Sequence, residues 1–284
     1  MATPFTADRD LDLDGAQRLA THLVEHGSDG LVVAGTTGES PTLSHDETLD
    51  LFSAVVEAVG ERTAVVAGVG KNDTAATVRL AEEAAGLGVD GLLVVTPYYN
   101  RPSQRGLIAH FTAVARAVEQ PILLYNIPSR TACEIAPETL LAIHEAAPSV
   151  RAVKDAVKDL DKAAWVNANA PDTFEIYAGN DIDLLPLLAV GAVGIVSVAG
   201  HLVGERLAAL IASFPTDPAA ARAHHLALLP LFSALFVDTN PVPLKAALRQ
   251  LRLPGGPVRP PLADAEEEVE GVVADALAAV GVTA

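Results

Sequence analysis

The chain has 284 residues, and its 36 acidic and 19 basic side chains give a formal net charge of −17. Such an excess of acid, without any basic cluster, argues against nucleic acid or an anionic membrane as a partner. Apolar residues make up 50% of the chain and charged residues 19%, which is typical of an ordered globular protein. The length suits one α/β barrel with a small extension.

Cysteine usage and the N-terminal composition bear on the compartment. Cys133 is the only cysteine, so no internal disulfide can form, and the acidic residues 8–14 leave no apolar stretch typical of a signal peptide. We therefore expect a cytoplasmic protein. Residues 184–204 carry no formal charge, but Pro186 and several glycines interrupt them. We interpret them as a buried helix, a turn and a buried strand rather than as a membrane span.

Amphipathic helices alternate with short apolar strands over most of the chain. The predicted strands are residues 29–35, 63–68, 90–96, 121–126, 149–155, 174–179 and 193–198. Their continuous apolar runs indicate burial on both faces, and hence parallel strands that are joined by helices.

This alternation predicts an α/β fold, namely a TIM (β/α)8 barrel over residues 1–215. Such a barrel has eight strands. The chain supplies seven βα units, so we expect a truncated first strand. Predicted helices at 219–237, 241–251 and 263–280 form a three-helix C-terminal extension over residues 216–284. The rival architecture, a doubly wound sheet, needs a G-x-G-x-x-G turn after its first strand, and the sequence has none there.

A lysine at the C-terminal end of a buried strand is the most unusual residue of the sequence. Lys154 follows the apolar residues Ala152 and Val153 and precedes Asp155. Burial disfavours the charged form of an amine, and a neutral amine can form a Schiff base with a carbonyl substrate. The alternative is a side chain that extends out of the strand end and pairs with Asp155.

Other polar and aromatic residues also follow predicted strand ends. They lie in GTTGES at 35–40, PYYN at 97–100, YNIPSRT at 125–131 and GND at 179–181. Catalytic residues of TIM barrels lie on the loops at this end of the strands. We therefore expect these segments to form an active site around Lys154.

Each of these side chains also has a purely structural alternative. Thr36 and Thr37 could hold a carboxylate or form an ordinary turn. The phenol of Tyr125 could relay protons or simply pack against its neighbours. Arg130 could bind a substrate carboxylate or form a surface ion pair. The sequence offers no convincing metal site, and we predict no metal.

The motifs together resemble a known family. In chain order they are GTTGES, TPYYNRPSQ, LYNIPSRT, VKDA, AGND, GIVSV and NPVPLKAAL. They are similar to those of the dihydrodipicolinate synthase and N-acetylneuraminate lyase superfamily of Schiff-base class I aldolases, and most of all to its dihydrodipicolinate synthase branch. The resemblance covers almost the whole chain. It implies condensation of pyruvate with aspartate 4-semialdehyde in lysine and diaminopimelate biosynthesis, with no cofactor beyond an imine on Lys154.

The resemblance also implies roles for individual residues. Lys154 forms the imine with pyruvate, Tyr125 is the general acid and base, and Thr36 links Tyr125 to Tyr99, which in this family reaches a neighbouring subunit. The implied substrate-binding residues are Thr37, which with Thr36 holds the pyruvate carboxylate, Arg130, which holds the carboxylate of the semialdehyde, and Gly179 and Val196, which line the pocket through backbone groups.

Assembly and regulation follow from the same resemblance. It implies a homotetramer, built as a dimer of dimers, with Tyr98 and Tyr99 in the tight interface. The residues that match the family's lysine-feedback site are Ser40, His45, Asn72 and Tyr98. Ala76 stands where a glutamate that can bind the lysine ammonium is often found. We therefore expect weak or absent feedback inhibition.

Two other functions stay open at the level of sequence. A pyruvate-dependent sugar-acid lyase or 2-keto-3-deoxy acid aldolase would keep the Schiff base and change the aldehyde. Arg130 argues against it, since sugar-acid pockets need groups directed at hydroxyls. A non-catalytic barrel that binds a keto acid is the second alternative, and an incompletely closed barrel makes it conceivable. A pure binding protein, however, has no use for a buried amine.

Overall fold

The computed structural model describes residues 1–283, which form two compact units. One unit comprises residues 1–65 and the chain from residue 197 onward, and the other comprises residues 66–196. Within residues 1–283, seven strands form one sheet in sequence order: β1 (Gly30–Val33), β2 (Ala64–Gly68), β3 (Gly91–Val95), β4 (Ile122–Asn126), β5 (Val150–Asp155), β6 (Glu175–Ala178) and β7 (Gly194–Ile195). The pairs from β2 to β7 are parallel, which confirms the predicted parallel α/β architecture.

Helices separate the strands and follow the last one. They are α1 (Leu13–Glu25), α2 (His45–Val59), α3 (Thr74–Gly86), α4 (Gln104–Ala117), α5 (Pro128–Thr131), α6 (Pro137–Ala146), α7 (Leu160–Asn169), α8 (Leu184–Ala189), α9 (Gly200–Ser213), α10 (Pro218–Ala234), α11 (Val242–Gln250) and α12 (Glu267–Ala279). Over residues 1–283, none of these helices combines the length and the apolar character that crossing a membrane requires.

Side-chain caps determine where several helices begin. At the start of α2, Ser44 accepts a hydrogen bond from the backbone N–H of Glu47, and the Glu47 carboxylate accepts one from the N–H of Ser44. This capping box satisfies two N–H groups that the helix cannot pair itself. Ser103 and Asp159 cap α4 and α7 through single hydrogen bonds. The caps fix the ends of the loops that leave the strands.

Strand register decides which side chains share a face in the unit of residues 66–196. Tyr125 on β4, Lys154 on β5 and Tyr177 on β6 are register partners. Because side chains alternate along a strand, these three lie on one face of the sheet, while Asn126 and Asp155 lie on the other. The second face packs against α6 and α7, where Val153 and Ile176 line a small gap together with residues of both helices.

The other unit anchors the first residues of the chain. The terminal ammonium of Met1 donates to the carbonyl of Val32 on β1. The N–H of Ala2 donates to Nε2 of His201 at 2.9 Å, and the hydroxyl of Thr3 donates to the carbonyl of Gly38 at 2.6 Å. These contacts tie residues 1–3 to β1, to the turn that follows it and to α9.

Helix α9 is the main element that the sequence analysis does not predict. Gly200 and Gly204 interrupt its apolar pattern, and the backbone departs from helical geometry at Val203, where φ is −141°. A Cβ on Gly204 would lie 2.3 Å from the carbonyl oxygen of His26. Gly204 is therefore required for the close approach of α9 to the end of α1. The strand predicted at 193–198 is shorter than expected and spans only Gly194–Ile195.

Candidate active site

Lys154 and Tyr125 lie side by side at the C-terminal ends of two neighbouring strands. Lys154 is 9% exposed and Tyr125 is 4% exposed. The Nζ atom of Lys154 lies 4.1 Å from the centroid of the Tyr125 ring. Thr96 fixes the end of β4, because its N–H and its hydroxyl both donate to the carbonyl of Tyr125 at 3.0 Å. The sequence thus places a nearly buried amine beside a buried phenol.

Asp155 does not neutralise Lys154. It lies on the opposite face of β5, where its Oδ1 accepts the N–H of Val157 at 2.8 Å. Burial raises the pKa of Asp155 to about 6, and that hydrogen bond only partly offsets the rise. Within residues 1–283 no ion pair joins the two side chains. The interpretation of Lys154 as half of a strand-end ion pair is therefore wrong.

Tyr99 projects away from the unit that carries it. Its backbone has a φ of 75°, and its side chain is 89% exposed. Tyr98 is half-buried, and its carbonyl accepts the N–H of Asn100 at 2.9 Å. A ring so exposed does not lie in the Lys154–Tyr125 pocket of the same chain. The structure therefore leaves the Tyr99 hydroxyl available to a second molecule.

Arg130 lies on a short loop that follows β4. The loop contains the four-residue helix α5, and Ala132 ends it with a φ of 54°. Arg130 itself is exposed. At the start of the loop, Asn126 is only 2% exposed, and its amide hydrogen-bonds the N–H and the carbonyl of Ile135, each at 3.0 Å. The structure thus carries a guanidinium on a loop with fixed ends.

Gly179 and Val196 follow the next two strands. The N–H of Gly179 donates to the carbonyl of Asp155 at 2.7 Å, and the N–H of Val196 donates to that of Ala178 at 2.9 Å. A Cβ on Gly179 would lie 2.8 Å from the Asp155 oxygen, so a larger residue would push the strands apart. Both residues extend the strand pairing by one step.

The threonine turn belongs to the unit of residues 1–65 and 197 onward. Thr36 and Thr37 are half-buried and follow β1 after Ala34 and Gly35. The N–H of Glu39 donates to the carbonyl of Thr36 at 3.1 Å, and Nδ2 of Asn240 donates to the hydroxyl of Thr37 at 2.9 Å. The hydroxyl of Thr37 is thereby oriented by a side chain from the C-terminal part of the chain.

The residues assigned to an effector site are divided between the two units. Ser40 begins a 3-10 turn, and His45 is the exposed first residue of α2. Asn72 follows β2, and its carbonyl accepts Nδ2 of Asn100 at 2.7 Å. Tyr98 lies on the same stretch as Asn100. Within residues 1–283, no group of three or more His, Cys, Asp or Glu side chains could hold a metal ion.

Several supporting residues escaped the sequence analysis. They are Glu39, Gln104, Asn126, Asn240 and Lys245, and all of them lie in or beside the motifs that carry the family resemblance. The available signal was the position of Lys245 in the apolar segment VPLKAAL, where a charge needs a buried partner. That partner is Glu39, which no local pattern could have identified.

Comparison with known proteins identifies the family. A family model described as the dihydrodipicolinate synthetase family matches residues 1–280. The chain belongs to the dihydrodipicolinate synthetase family. It is 55% identical over 282 residues to the 4-hydroxy-tetrahydrodipicolinate synthase of Moorella thermoacetica, with 99% of this chain and 96% of that protein covered. It is 52% identical over 286 residues to the enzyme of the same name from Acidothermus cellulolyticus, covering 100% and 91%.

Solved structures of the dihydrodipicolinate synthetase family share the fold. The structure of DHDPS from Cyanidioschyzon merolae with lysine bound matches with a TM-score of 0.96 and 41% identity, covering 99% of this chain and 96% of that one. The 4-hydroxy-tetrahydrodipicolinate synthase of Methylacidiphilum fumariolicum SolV matches with a TM-score of 0.96 and 40% identity, covering 99% and 93%. The resemblance that the motifs predicted is confirmed.

Proposed function

We propose that the chain is a 4-hydroxy-tetrahydrodipicolinate synthase, which condenses pyruvate with aspartate 4-semialdehyde in lysine and diaminopimelate biosynthesis. One observation carries the proposal: the nearly buried amine of Lys154 lies 4.1 Å from the Tyr125 ring, at adjacent strand ends of a chain from this family. Relatives at about half identity over nearly the full length bear this name. The cytoplasm is the compartment that suits such a biosynthetic step.

The chemistry begins on Lys154. Its amine adds to the keto carbon of pyruvate, and loss of water leaves an imine. The imine nitrogen accepts electrons from the pyruvate methyl group, so that a proton can leave and an enamine forms. Tyr125 moves these protons as general acid and base. The backbone groups of Gly179 and Val196 line the pyruvate site, and Thr36 and Thr37 hold the pyruvate carboxylate.

The second half of the reaction uses the aldehyde. The enamine carbon attacks the aldehyde carbon, and the amine of the semialdehyde then attacks the imine carbon, which closes the ring and frees Lys154. Arg130 binds the carboxylate of the semialdehyde, because a planar guanidinium can form two parallel hydrogen bonds to it. This carboxylate contact favours the semialdehyde over the hydroxyl-rich substrates of a sugar-acid lyase.

We further propose a homotetramer that is a dimer of tight dimers. Tyr98 and Tyr99 lie in the tight interface, where Tyr99 joins Tyr125 and Thr36 of a neighbouring subunit. The exposure of the Tyr99 ring in the single chain supports this role. The effector residues Ser40, His45, Asn72 and Tyr98 retain an incomplete lysine-feedback site.

At the level of architecture, we propose that the parallel sheet belongs to a (β/α)8 barrel over residues 1–215, followed by a helical extension over residues 216–284. The similarity to solved members of the family supports this assignment. No metal takes part, and the covalent imine on Lys154 replaces a cofactor.

Borohydride reduction in the presence of pyruvate tests the proposal. We expect a mass increase of one reduced pyruvate on Lys154, and none in Lys154→Ala. Tyr125→Phe should still be trapped but should turn over about 100-fold or more slowly, since it lacks the general acid and base. A screen of pyruvate with candidate aldehydes then identifies the product by mass. Absence of the adduct in the wild-type protein, or a preference for sugar acids, would end the proposal.

A further inference from the structure

Two side-chain amides form hydrogen bonds to the backbone of residues 134–136. Asn126, the last residue of β4, donates to the carbonyl of Ile135 and accepts its N–H, both at 3.0 Å. Gln104, the first residue of α4, donates to the carbonyl of Glu134 at 2.8 Å and accepts the N–H of Ala136 at 3.0 Å. Four consecutive main-chain groups thus have side-chain partners, as they would in a strand pair.

This amide clamp, formed by Asn126 and Gln104, closes the loop that carries Arg130. The loop runs over residues 127–133 and contains only one turn of helix, too short to be stable alone. Inside it, the hydroxyl of Thr131 lies 3.0 Å from the carbonyl of Ile127 and 2.8 Å from that of Cys133. The loop is therefore a compact piece whose position depends on its two ends.

The two clamp residues come from the ends of neighbouring elements. Asn126 is 2% exposed and sits at the end of β4, beside the strand that carries Lys154. Gln104 is exposed and is joined to β3 by residues 96–103, which include Tyr99. Binding groups must be held within about 0.5 Å of their productive geometry by their supports. The amide clamp supplies such support to a loop that has no strand of its own.

We propose that Asn126 and Gln104 are positioning residues that set the place of Arg130, and through it the affinity for the carboxylate of the second substrate. The inference rests on the proposed function, in which Arg130 binds that carboxylate. It assigns to the two amides no contact with pyruvate or with the imine. Their loss should therefore change the handling of the aldehyde and leave the first half-reaction intact.

Gln104→Ala gives the decisive experiment, since Gln104 is exposed and its loss leaves the core in place. We expect KM for aspartate 4-semialdehyde to rise about tenfold, the equivalent of one or two net hydrogen bonds. The KM for pyruvate and the borohydride trapping should stay within about twofold. Gln104→Glu keeps the acceptor for the Ala136 N–H and should give an intermediate rise. Asn126→Ala, if folded, should show the same pattern more strongly.

A double-mutant cycle separates positioning from general damage. In an Arg130→Ala background, Gln104→Ala should raise KM for aspartate 4-semialdehyde no further. An aldehyde that lacks a carboxylate should react as well with the single variants Gln104→Ala and Asn126→Ala as with the wild type. The matched control is Gln250→Ala, because Gln250 also donates to a backbone carbonyl, that of Glu270 at 3.0 Å, on another element. We expect no kinetic change in this control.

The outcomes distinguish the inference from the proposed function. Wild-type protein that forms no pyruvate adduct removes the proposed function. The inference alone is overturned if wild-type protein condenses pyruvate with the semialdehyde but Gln104→Ala leaves KM for the semialdehyde unchanged. It is also overturned if Gln104→Ala raises this KM equally in the Arg130→Ala background. A parallel loss of pyruvate trapping would also overturn it, since it would indicate a general structural role.

Discussion

Lys245 and Glu39 form an ion pair that is buried from solvent. The Nζ atom of Lys245 lies 2.6 Å from Oε1 of Glu39, and the two side chains are 0% and 1% exposed. Lys245 also donates to the carbonyl of Pro257 at 2.8 Å and lies 4.2 Å from the centroid of the Phe5 ring. The pair therefore ties the turn after β1 to helix α11.

Removal of the Lys245 cation should strongly lower the free energy of unfolding. Burial lowers the pKa of Lys245 to about 8, while the Glu39 carboxylate acts in the opposite direction. In Lys245→Met the carboxylate would stay buried without its partner. We expect the free energy of unfolding in urea to fall by about 3–5 kcal/mol at pH 7. The control is Lys162→Met, because Lys162 pairs with Glu134 at the surface, and its loss should matter far less.

Glu39→Leu combined with Lys245→Met extends this test. The double variant should be more stable than the sum of the two single losses predicts, since neither charge is then left unpaired. Additive losses would contradict the assignment of the pair as one buried unit.

Asp155 should make the protein less stable at neutral pH than it would be with an amide there. Its pKa in the fold is about 6, against an ordinary value of 3.8, so the folded chain holds a proton that the unfolded chain releases. The stability gained from this group is complete below pH 3.8 and is lost as the pH rises through 6. Asp155→Asn keeps an acceptor for the Val157 N–H and removes the charge.

We expect Asp155→Asn to raise the free energy of unfolding at pH 7 by up to about 3 kcal/mol, with little change at pH 4. Urea titrations across this pH range measure the difference. The control is the exposed Asp172→Asn. An equal effect of Asp155→Asn at both pH values would contradict the role of charge.

His201 should make the fold sensitive to acid. Its Nδ1 lies 2.8 Å from the carbonyl of Val198 and its Nε2 accepts the N–H of Ala2, so both ring nitrogens of the neutral form are used. Burial lowers the pKa of His201 from 6.5 to about 3. As the pH falls, His201 therefore binds a proton in the unfolded chain before it does so in the folded chain. The stability that neutral His201 contributes is complete above pH 6.5 and is lost as the pH falls towards 3.

His201→Gln tests this acid sensitivity, since glutamine can donate and accept but does not titrate. Each pH unit in the window from 6.5 downward costs the wild type about 1.4 kcal/mol through this histidine. We expect the variant to show a correspondingly flatter fall in unfolding free energy between pH 6.5 and 4. Identical slopes for variant and wild type would refute the assignment.

Lysine should inhibit the wild-type enzyme weakly or not at all. Ala76 offers no carboxylate to the ammonium of a lysine molecule at the proposed effector site, and an ammonium without an anionic partner loses most of its binding energy there. Condensation rates in millimolar-range lysine measure the effect. Ala76→Glu should gain inhibition, whereas Ala75→Glu on the same helix should not. Strong inhibition of the wild type would contradict this prediction.

The sequence predicted what depends on local pattern. Apolar runs of five or six residues indicated the parallel strands, and the position of Lys154 at the end of one of them indicated the candidate site. Helix α9 was missed, because Gly204 is there for a close approach to His26 that only the folded chain reveals. The strand predicted at 193–198 was too long, because the pairing with β6 ends at Val196, while Val198 is buried without strand geometry.

Long-range partners could not be predicted in the same way. Glu39 and Lys245 lie far apart in the chain, and no periodicity links them. Asn126 and Gln104 looked like ordinary polar residues of two motifs, because nothing in their spacing indicates that both amides bind residues 134–136. Such pairings arise from tertiary packing alone.

The amide clamp has a practical consequence for protein engineering. The hydrogen bonds of the clamp reach only main-chain groups of residues 134–136. They therefore do not constrain the identity of the loop residues 127–133. A designer could therefore vary the loop residues between Ile127 and Cys133, with Thr131 kept for its hydrogen bonds inside the loop, and so change the preference for the aldehyde without rebuilding the scaffold.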